Sequence, residues 1–218
     1  MSRPTASAHP GASVWAAGRP VMGAWVFVCG PSGAGKDSVI AWARERLVGD
    51  SRVVFARRLI TRPAQSGSDH EPVTPGDFEA LLHRDQLAWH WRSHGFGYGI
   101  ARRYARQAAW GRVVVVNGSR EHLAGVDPVP GVYRVQVEAP DDRLAARLRQ
   151  RGRDDLESIE RRLDRNSRFA GLEADLVIAN DSELCQAGAR LQHYLQGLAA
   201  ALTLPTKDSL SHELAYAA

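Results

Sequence analysis

Cysteine is scarce in this chain. Its 218 residues include two cysteines, Cys29 and Cys185, and neither belongs to a C-x-x-C pair or to a metal-ligand spacing. Two thiols so far apart do not make a disulfide framework, which excludes the small disulfide-stapled secreted domains. Because each stands in an apolar pattern, we expect both to be reduced core residues of a cytoplasmic protein.

Long apolar runs are missing as well. No stretch approaches the roughly 18 consecutive apolar residues of a transmembrane helix, so no membrane partner is expected. Residues 1–23 are rich in Ala, Ser, Pro and Gly but lack the continuous apolar stretch of a signal peptide. We expect a flexible N-terminal leader over residues 1–23 and a C-terminal tail over residues 204–218.

Lysine is almost absent too. Lys36 and Lys207 are the two lysines, and the other basic residues behind the formal net charge of +4 are arginines. No block of basic residues interleaves with aromatic residues, so a nucleic-acid partner is not expected. The arginines suit small phosphate-bearing ligands and ordinary surface positions, although genomic base composition can also favour arginine.

What the chain does contain is a glycine-rich turn between a predicted buried strand at 24–29 and a segment with helical apolar spacing at 39–47. The turn consists of Gly30, Pro31, Ser32, Gly33, Ala34, Gly35, Lys36, Asp37 and Ser38. The spacing G-x-x-x-x-G-K in this context predicts a phosphate-binding P-loop. Its backbone N–H groups and the start of the helix attract an anion, and the lysine contacts the outer phosphates of a nucleotide. The alternative is a glycine turn followed by an unrelated lysine.

The motif departs from the usual pattern at one position. The Ser or Thr that ordinarily follows the P-loop lysine and binds Mg²⁺ is Asp37 here, and a hydroxyl comes only at Ser38. We predict that Asp37 holds Mg²⁺, directly or through water. Ser38 is the alternative ligand.

Strand and helix patterns alternate along the chain. This alternation predicts an α/β fold, with a central parallel sheet and helices on both of its faces. Predicted strands lie at 53–55, 87–91, 113–116, 132–137 and 175–179, and the β-branched run 113–116 suits a central strand. A capping box at 74–77 predicts one helix start. Further helices are predicted at about 101–111, at 140–150, and over the leucines Leu184, Leu191, Leu195, Leu198 and Leu202, and a tight turn is predicted at 95–99.

Polar residues follow several predicted strands. They are Arg58 and Arg62 after the second strand, Asn117, Ser119 and Arg120 after the valine-rich strand, and Asn180 after the last strand. Since ligands bind at the carboxyl ends of parallel strands, all should lie at the edge that carries the P-loop. Each arginine alone fits an ordinary surface position. Together they favour a site for an anionic ligand, because buried unpaired guanidinium groups are costly.

Histidines and tryptophans give weaker signals. His90 and His94 are four residues apart and would share a face on a helix, but the local pattern predicts strand and turn, so we expect no metal site there. Trp89 and Trp91 are predicted to be core or pocket wall. A break at 151–155 between two arginine-bearing helices is typical of a mobile lid, here about 147–162.

The chain resembles the guanylate kinase family in its P-loop, in Arg62, in the Tyr98-Gly99 turn and in an Arg-Gly pair in a helical hairpin. The likeness runs over nearly all of residues 24–202. The chain is more closely similar to the ribose 1,5-bisphosphate phosphokinases of phosphonate degradation, which share the guanylate kinase fold. This closer resemblance rests on the P-loop and on the segments 60–63, 116–120 and 151–153.

That resemblance implies ATP-dependent phosphorylation of ribose 1,5-bisphosphate to 5-phosphoribosyl 1-diphosphate, with ATP and Mg²⁺ bound at the P-loop. It implies a kinase domain over residues 24–203, with an acceptor-binding insertion at about 57–100. A small phosphorylated sugar is the expected partner, and the protein is expected to be a monomer or homodimer. A nucleoside monophosphate kinase of altered base specificity is the alternative, and a catalytically dead binding module is less expected because Lys36 and the glycines are intact.

The residues at the guanine-reading positions favour the sugar. Guanylate kinases read guanine with a serine, a glutamate and an aspartate, where this chain has Arg58, Trp89 (or Ala88) and Asn117. The phosphate-binding residues Arg62 and Tyr98 remain. Phosphate-binding residues without guanine-recognising residues imply a phosphorylated acceptor that lacks guanine. Arg58 adds the cation that a second phosphate on this acceptor requires.

The resemblance also implies roles for individual residues. Lys36 would be catalytic, together with the arginines Arg147, Arg151 and Arg162 of the lid. Asn180 would lie near the adenine of ATP. The acceptor would be bound by Arg58, Arg62, Tyr98, Asn117, Ser119 and Arg120.

Overall fold

A computed structural model of the chain describes residues 22–64, 69–150 and 172–203. The predicted tail, nearly all of the predicted leader, and most of the predicted lid, including Arg151 and Arg162, lie outside these residues.

Within the described residues the chain forms nine strands and six helices. The strands are β1 (Ala24–Cys29), β2 (Val53–Ala56), β3 (Arg58–Ile60), β4 (His70–Pro72), β5 (Leu87–Ser93), β6 (Phe96–Ala101), β7 (Val113–Asn117), β8 (Val132–Glu138) and β9 (Leu176–Ala179). The helices are α1 (Lys36–Arg46), α2 (Pro75–His83), α3 (Arg103–Ala109), α4 (Arg120–Ala124), α5 (Asp141–Gln150) and α6 (Leu184–Thr203).

The larger sheet has five parallel strands in the order β2-β7-β1-β8-β9. All six residues of β1 and residues 113–116 of β7 are buried, as their unbroken apolar sequences require. The register aligns Val28 of β1 with Asn117 of β7, which brings the carboxyl ends of the two strands to one level. The predicted α/β fold with a central parallel sheet is confirmed.

A second sheet of four strands, in the order β4-β3-β6-β5, comes from residues 58–101. It is mixed: β3 and β4 run parallel, whereas β6 is antiparallel to both β3 and β5. The strands β3 and β4 were not predicted, because three residues are too few to show an apolar period. The prediction of a tight turn over 95–99 is wrong beyond Gly95, because residues from Phe96 onward form β6.

Two apolar cores cover the faces of the large sheet. On one face α1 and α6 pack against alternate residues of β1, β7 and β8, such as Val26, Val115 and Val135. On the other face Trp25, Phe27 and the remaining valines of β7 pack against the smaller sheet and against α3 and α4. The smaller sheet is therefore fixed to the larger one through a continuous core.

Local signals explain the helix boundaries. The Thr74 hydroxyl accepts a hydrogen bond from the Asp77 backbone N–H at 3.1 Å and Pro75 opens α2, so the predicted capping box is confirmed. In α6, Leu191 and Leu195 are buried as predicted, but Leu184 is 38 % exposed because it stands in the first turn, beyond the sheet edge. Cys185 beside it is exposed as well, which corrects its predicted core position, whereas Cys29 is buried.

None of the helices in the described part of the chain combines the length and the apolar character that a membrane crossing requires.

Candidate active site

The P-loop joins β1 to α1 through backbone that only glycine adopts readily. Gly35, the residue before α1, has φ of 79°, and a β-carbon there would run into the side-chain amide of Asn180. A β-carbon on Gly30 would collide with the Val137 carbonyl of the neighbouring strand β8. The glycines thus let the loop lie flat against the ends of β8 and β9, with the N-terminus of α1 facing outward.

Asn180 and Arg147 hold the loop from the β9 side. The buried Asn180 side chain donates from Nδ2 to the Ala34 carbonyl at 2.7 Å. Arg147 donates from Nη2 to the Asn180 carbonyl at 3.1 Å and from Nη1 to the Gly33 carbonyl at 3.4 Å. Asn180, predicted to lie near the adenine, therefore contacts the P-loop backbone, and so does Arg147, predicted as a lid arginine.

Lys36 is held by two side chains. Its Nζ donates to Asn117 Oδ1 at 2.8 Å and to Asp37 Oδ1 at 3.2 Å. Asn117 Nδ2 in turn donates to Asp37 Oδ1. Lys36, Asp37 and Asn117 form a closed triangle at the mouth of the P-loop, which we call the P-loop triangle.

The charges of the P-loop triangle shift one another. Burial lowers the pKa of Lys36, with a further decrease from Arg58, although Asp37 opposes both effects. Burial alone would raise the pKa of Asp37, but the charges of Lys36 and Arg58 and the hydrogen bond from Asn117 outweigh it, so that pKa is below its usual range. Asp37 is therefore the anion that lies between the two cations.

Arg58, Arg62 and Tyr98 come together on the smaller sheet, as predicted from the family pattern. Burial lowers the pKa of Arg58, and the positive charge of Arg62 lowers it further, whereas Asp37 and Tyr98 raise it. The Nε atoms of both arginines are buried without a hydrogen-bond partner among the described residues. Two cations thus face one region with part of their hydrogen-bonding capacity unused.

Thr61 fixes the position of Arg62. Its backbone N–H donates to the Gly97 carbonyl at 3.0 Å, and its hydroxyl accepts from the Gly97 N–H at 2.8 Å. The chain therefore leaves β3 against β6, and the Arg62 guanidinium lies over the Phe96 ring, 5.9 Å from its centroid. Thr61 of the Ile-Thr-Arg-Pro segment is a structural residue that the pattern alone did not explain.

A stack of rings supports Tyr98. The buried Tyr98 ring lies parallel to Trp91, with centroids 5.3 Å apart, and Trp91 also stacks on His122 at 4.8 Å. Trp91 is thus a core residue beside Tyr98, which is one of the two roles predicted for it. His122 was not predicted, because nothing in the sequence indicates that the short helix α4 packs against β5.

Ser119 and Arg120 stand where α4 begins. Ser119 is the residue before α4, and its side chain makes no capping hydrogen bond. Burial lowers the pKa of Arg120, and the charges of Cys29 and Glu138 oppose the decrease.

Two cavities flank the start of α1 and share Ser38. One of about 280 Å³ is lined by Gly33, Gly35, Ser38, Arg147, Asn180, Ser182 and Leu184. The other, of about 390 Å³, is lined by Asp37, Ser38, Ile40, Ala41, Arg44, Phe55, Ala56, Arg58, Asp69, Val115 and Asn117. Asp69, which the sequence did not single out, pairs with both Arg44 and Arg57 there.

No group of three or more His, Cys, Asp or Glu residues in the described part of the chain is placed to hold a metal ion. Asp37 and Ser38 are both exposed at the start of α1, and they offer a carboxylate and a hydroxyl. Oxygen ligands of this kind suit Mg²⁺, which ordinarily completes its shell with water and substrate phosphates. The donor set fits that ion.

Comparison with known proteins gives a family. The chain is 46 % identical over 172 residues to the ribose 1,5-bisphosphate phosphokinase of Thiobacillus denitrificans, covering 78 % of this chain and 90 % of that one. It is 40 % identical over 184 residues to the enzyme of the same name from Psychromonas ingrahamii, covering 83 % and 93 %. The chain belongs to the ribose 1,5-bisphosphate phosphokinase family. A scan against protein-family models finds no match.

The fold of this ribose 1,5-bisphosphate phosphokinase family member is that of guanylate kinase. The guanylate kinase of Anaplasma phagocytophilum superposes with a TM-score of 0.58 at 17 % identity, covering 80 % of this chain and 85 % of that chain. The predicted guanylate-kinase-like fold is therefore confirmed, and at this identity the likeness concerns the fold alone.

Proposed function

We propose that the protein transfers the γ-phosphoryl group of ATP to the 1-phosphate of ribose 1,5-bisphosphate. The products are ADP and 5-phosphoribosyl 1-diphosphate, and the reaction belongs to phosphonate catabolism. The observation that carries the proposal is the pair of guanidinium groups, Arg58 and Arg62, whose buried Nε atoms have no hydrogen-bond partner among the described residues. Family membership supports the same acceptor.

On the donor side, the P-loop and Lys36 would bind the phosphates of ATP, and the 280 Å³ cavity beside Asn180 is the place for its nucleoside. Asp37 and Ser38 would hold Mg²⁺. When bound, that ion neutralises charge on the phosphates during transfer.

On the acceptor side, Arg58, Arg62 and Tyr98 would bind the phosphates of the sugar. The charge of Arg58 lowers the pKa of Lys36, and the charge of Asp37 raises the pKa of both groups, so donor and acceptor phosphates would meet near Asp37. A sugar with two phosphate groups, each carrying about 1.5 to 2 negative charges at neutral pH, supplies anionic oxygens to these partly buried cations. Burial makes each such contact stronger than it would be in water.

This reaction needs no general base. The attacking atom is an oxygen of the 1-phosphate, and a phosphate monoester with a second pKa of about 6 is ionised at neutral pH. Catalysis then comes from in-line positioning and from charge neutralisation by Lys36 and by Arg147, which lies against the P-loop.

The test is a direct product assay. Purified protein is mixed with Mg²⁺, ATP and ribose 1,5-bisphosphate, and ³¹P NMR follows the appearance of a diphosphate on C1 of the sugar. Stoichiometric formation of that product with ADP is expected. Phosphorylation of a nucleoside monophosphate in a parallel panel, with the sugar unchanged, would instead support the alternative nucleotide kinase.

A cytoplasmic location accompanies this proposal, because ATP and a free sugar bisphosphate are metabolites of that compartment. The proposed partner is this small molecule alone. A monomer or homodimer remains the expectation for the assembly, to be measured by sedimentation.

A further inference from the structure

Asn117 is unusual in the site because both polar atoms of its side chain are engaged. Its Oδ1 accepts from Lys36 Nζ at 2.8 Å, and its Nδ2 donates to Asp37 Oδ1. The residue is the last of β7, 80 positions from Asp37, and it reaches the P-loop because Val28 and Asn117 are aligned in the register of β1 and β7. The Gly118 N–H donates to the Val28 carbonyl at 2.8 Å and holds the strand end in place.

The chemistry of the contact requires an amide. The carbonyl oxygen must face the ammonium of Lys36 and the NH₂ group must face the carboxylate of Asp37, so only one orientation of the side chain serves both neighbours. An aspartate would present a second carboxylate to Asp37, and two like charges in contact repel. An apolar residue of similar size would leave both contacts unmade.

The contact also controls where the Asp37 charge is placed. Asp37 contacts Lys36 and lines one cavity together with Arg58, and its charge raises the pKa of both groups. Because Oδ1 of Asp37 accepts from both Lys36 and Asn117, the rotation of its carboxylate is restricted and Oδ2 is directed by the same two contacts. A shift of Asn117 would move the anion that separates the donor-side and acceptor-side cations.

We propose that Asn117 is a positioning residue, which holds Lys36 and Asp37 in a fixed relation, rather than a contact of the acceptor. The inference rests on the proposed phosphoryl transfer. In ordinary P-loops a hydroxyl follows the lysine and the carboxylate stands at a strand end. Here the carboxylate is on the helix and a neutral amide is on the strand, so each arrangement contains one carboxylate.

If Asn117 positions Asp37, the effects of substitutions at these two residues on kcat should not add. Asn117→Asp gives the pair two carboxylates, and Asp37→Ser gives it none. The double variant Asp37→Ser with Asn117→Asp again contains one carboxylate, now at the strand end. Because the two side chains are in direct contact, their effects should not add, and we expect the double variant to exceed the Asn117→Asp single variant in kcat by about tenfold.

The experiment is a double-mutant cycle on the full chain, with kcat and both KM values measured for the four proteins. Asn117→Asp should lower kcat by about tenfold or more and leave the KM for ribose 1,5-bisphosphate within about twofold. Gln86→Glu is the matched control, because it adds the same charge at an exposed amide before β5, and it should leave kcat unchanged. Thermal melting verifies that each variant is folded.

A second readout separates this inference from the proposed function. The affinity of the four proteins for ATP with Mg²⁺ is measured by calorimetry without any acceptor, and the same coupling is expected there. If wild-type protein ignores the sugar but the coupling in ATP affinity persists, the proposed function fails and the role of Asn117 stands. Additive effects in both readouts, or an Asn117→Asp variant that raises only the acceptor KM, would overturn the positioning role.

Discussion

The two sheets meet at one site but satisfy their cations in different ways. On the large sheet, the Lys36 ammonium donates to Asn117 and Asp37, so the P-loop triangle is complete within the protein. On the small sheet, Arg58 and Arg62 keep buried Nε atoms without a hydrogen-bond partner in the described part of the chain. Under the proposed function, the donor site would be preorganised by the protein and the acceptor site would be completed by its ligand.

The largest expected effect is on the donor side. Lys36→Met removes the one cation that reaches the P-loop phosphates from α1, and loss of such a charge costs about 10²–10³-fold in kcat. Steady-state kinetics with saturating sugar bisphosphate provide the measurement. Arg46→Met removes an exposed cation from the same helix and should leave turnover near wild type. A Lys36→Met enzyme within a few fold of wild type would refute the donor assignment.

Arg58→Met tests the acceptor side. Hydrogen bonds to charged groups contribute about 1.5–3 kcal/mol, so the KM for ribose 1,5-bisphosphate should rise by about 10–100-fold while the KM for ATP stays within about twofold. Because burial already disfavours the charge of Arg58, the variant should melt no lower than wild type. Equal increases in both KM values, with a lower melting temperature, would mean that Arg58 is structural.

Gly188→Ala tests how far the donor side depends on packing. A β-carbon at Gly188 would collide with the Trp42 ring where α6 crosses α1. Overpacking costs about 1–3 kcal/mol, equivalent to a decrease in melting temperature of roughly 2–10 °C. Gly197→Ala in the same helix has open space around it and should be neutral or stabilising. Equal melting temperatures for the two variants would contradict the packing.

Trp91→Leu should have a smaller effect, confined to the acceptor side. It removes the ring that stacks on Tyr98, and aromatic pairs contribute about 0.5–1.5 kcal/mol. We expect the KM for the sugar bisphosphate to rise by about 2–10-fold with little change in the KM for ATP. Trp110→Leu, at a ring that is 67 % exposed, is the control. A change in the KM for ATP alone would show that the stack does not support the acceptor site.

Of these experiments, thiol labelling of Cys29 and Cys185 perturbs the protein least. Burial raises the pKa of Cys29, directly before the P-loop, to about 11, whereas Cys185 is exposed. Native protein should react rapidly with about one equivalent of a thiol reagent and with two when denatured. Cys185→Ser should abolish the rapid phase. Rapid reaction of two thiols in native protein would show that the strand before the P-loop opens.

The sequence predicted the strand, turn and helix of the P-loop well because their determinants are contiguous. Residues 30–38 carry the glycines, the lysine and the helix start in one stretch, and apolar runs on both sides identify the parallel sheet. The hydrogen bonds of the P-loop triangle were harder to predict from the sequence. The contact between Asn117 and Asp37 joins residues 80 positions apart and depends on strand register, which a single sequence does not specify.

The acceptor side was predicted as a set of residues but not as a structure. Gly97 and Gly99 suggested a turn, whereas they are needed within β6 because Phe78 and Leu87 pack directly over them. The stack of Tyr98 on Trp91 and His122 needs three separate elements to converge. Cys185 was placed in the core because the helical period alone does not reveal where a helix extends beyond the sheet it covers.

The most direct measurement is the ratio of kcat/KM for ribose 1,5-bisphosphate to kcat/KM for GMP on a single preparation. An acceptor site with buried arginines and no carboxylate at the guanine-reading positions should discriminate by about 10²-fold or more in favour of the sugar. A ratio below one, with GMP turned over efficiently, would contradict the account.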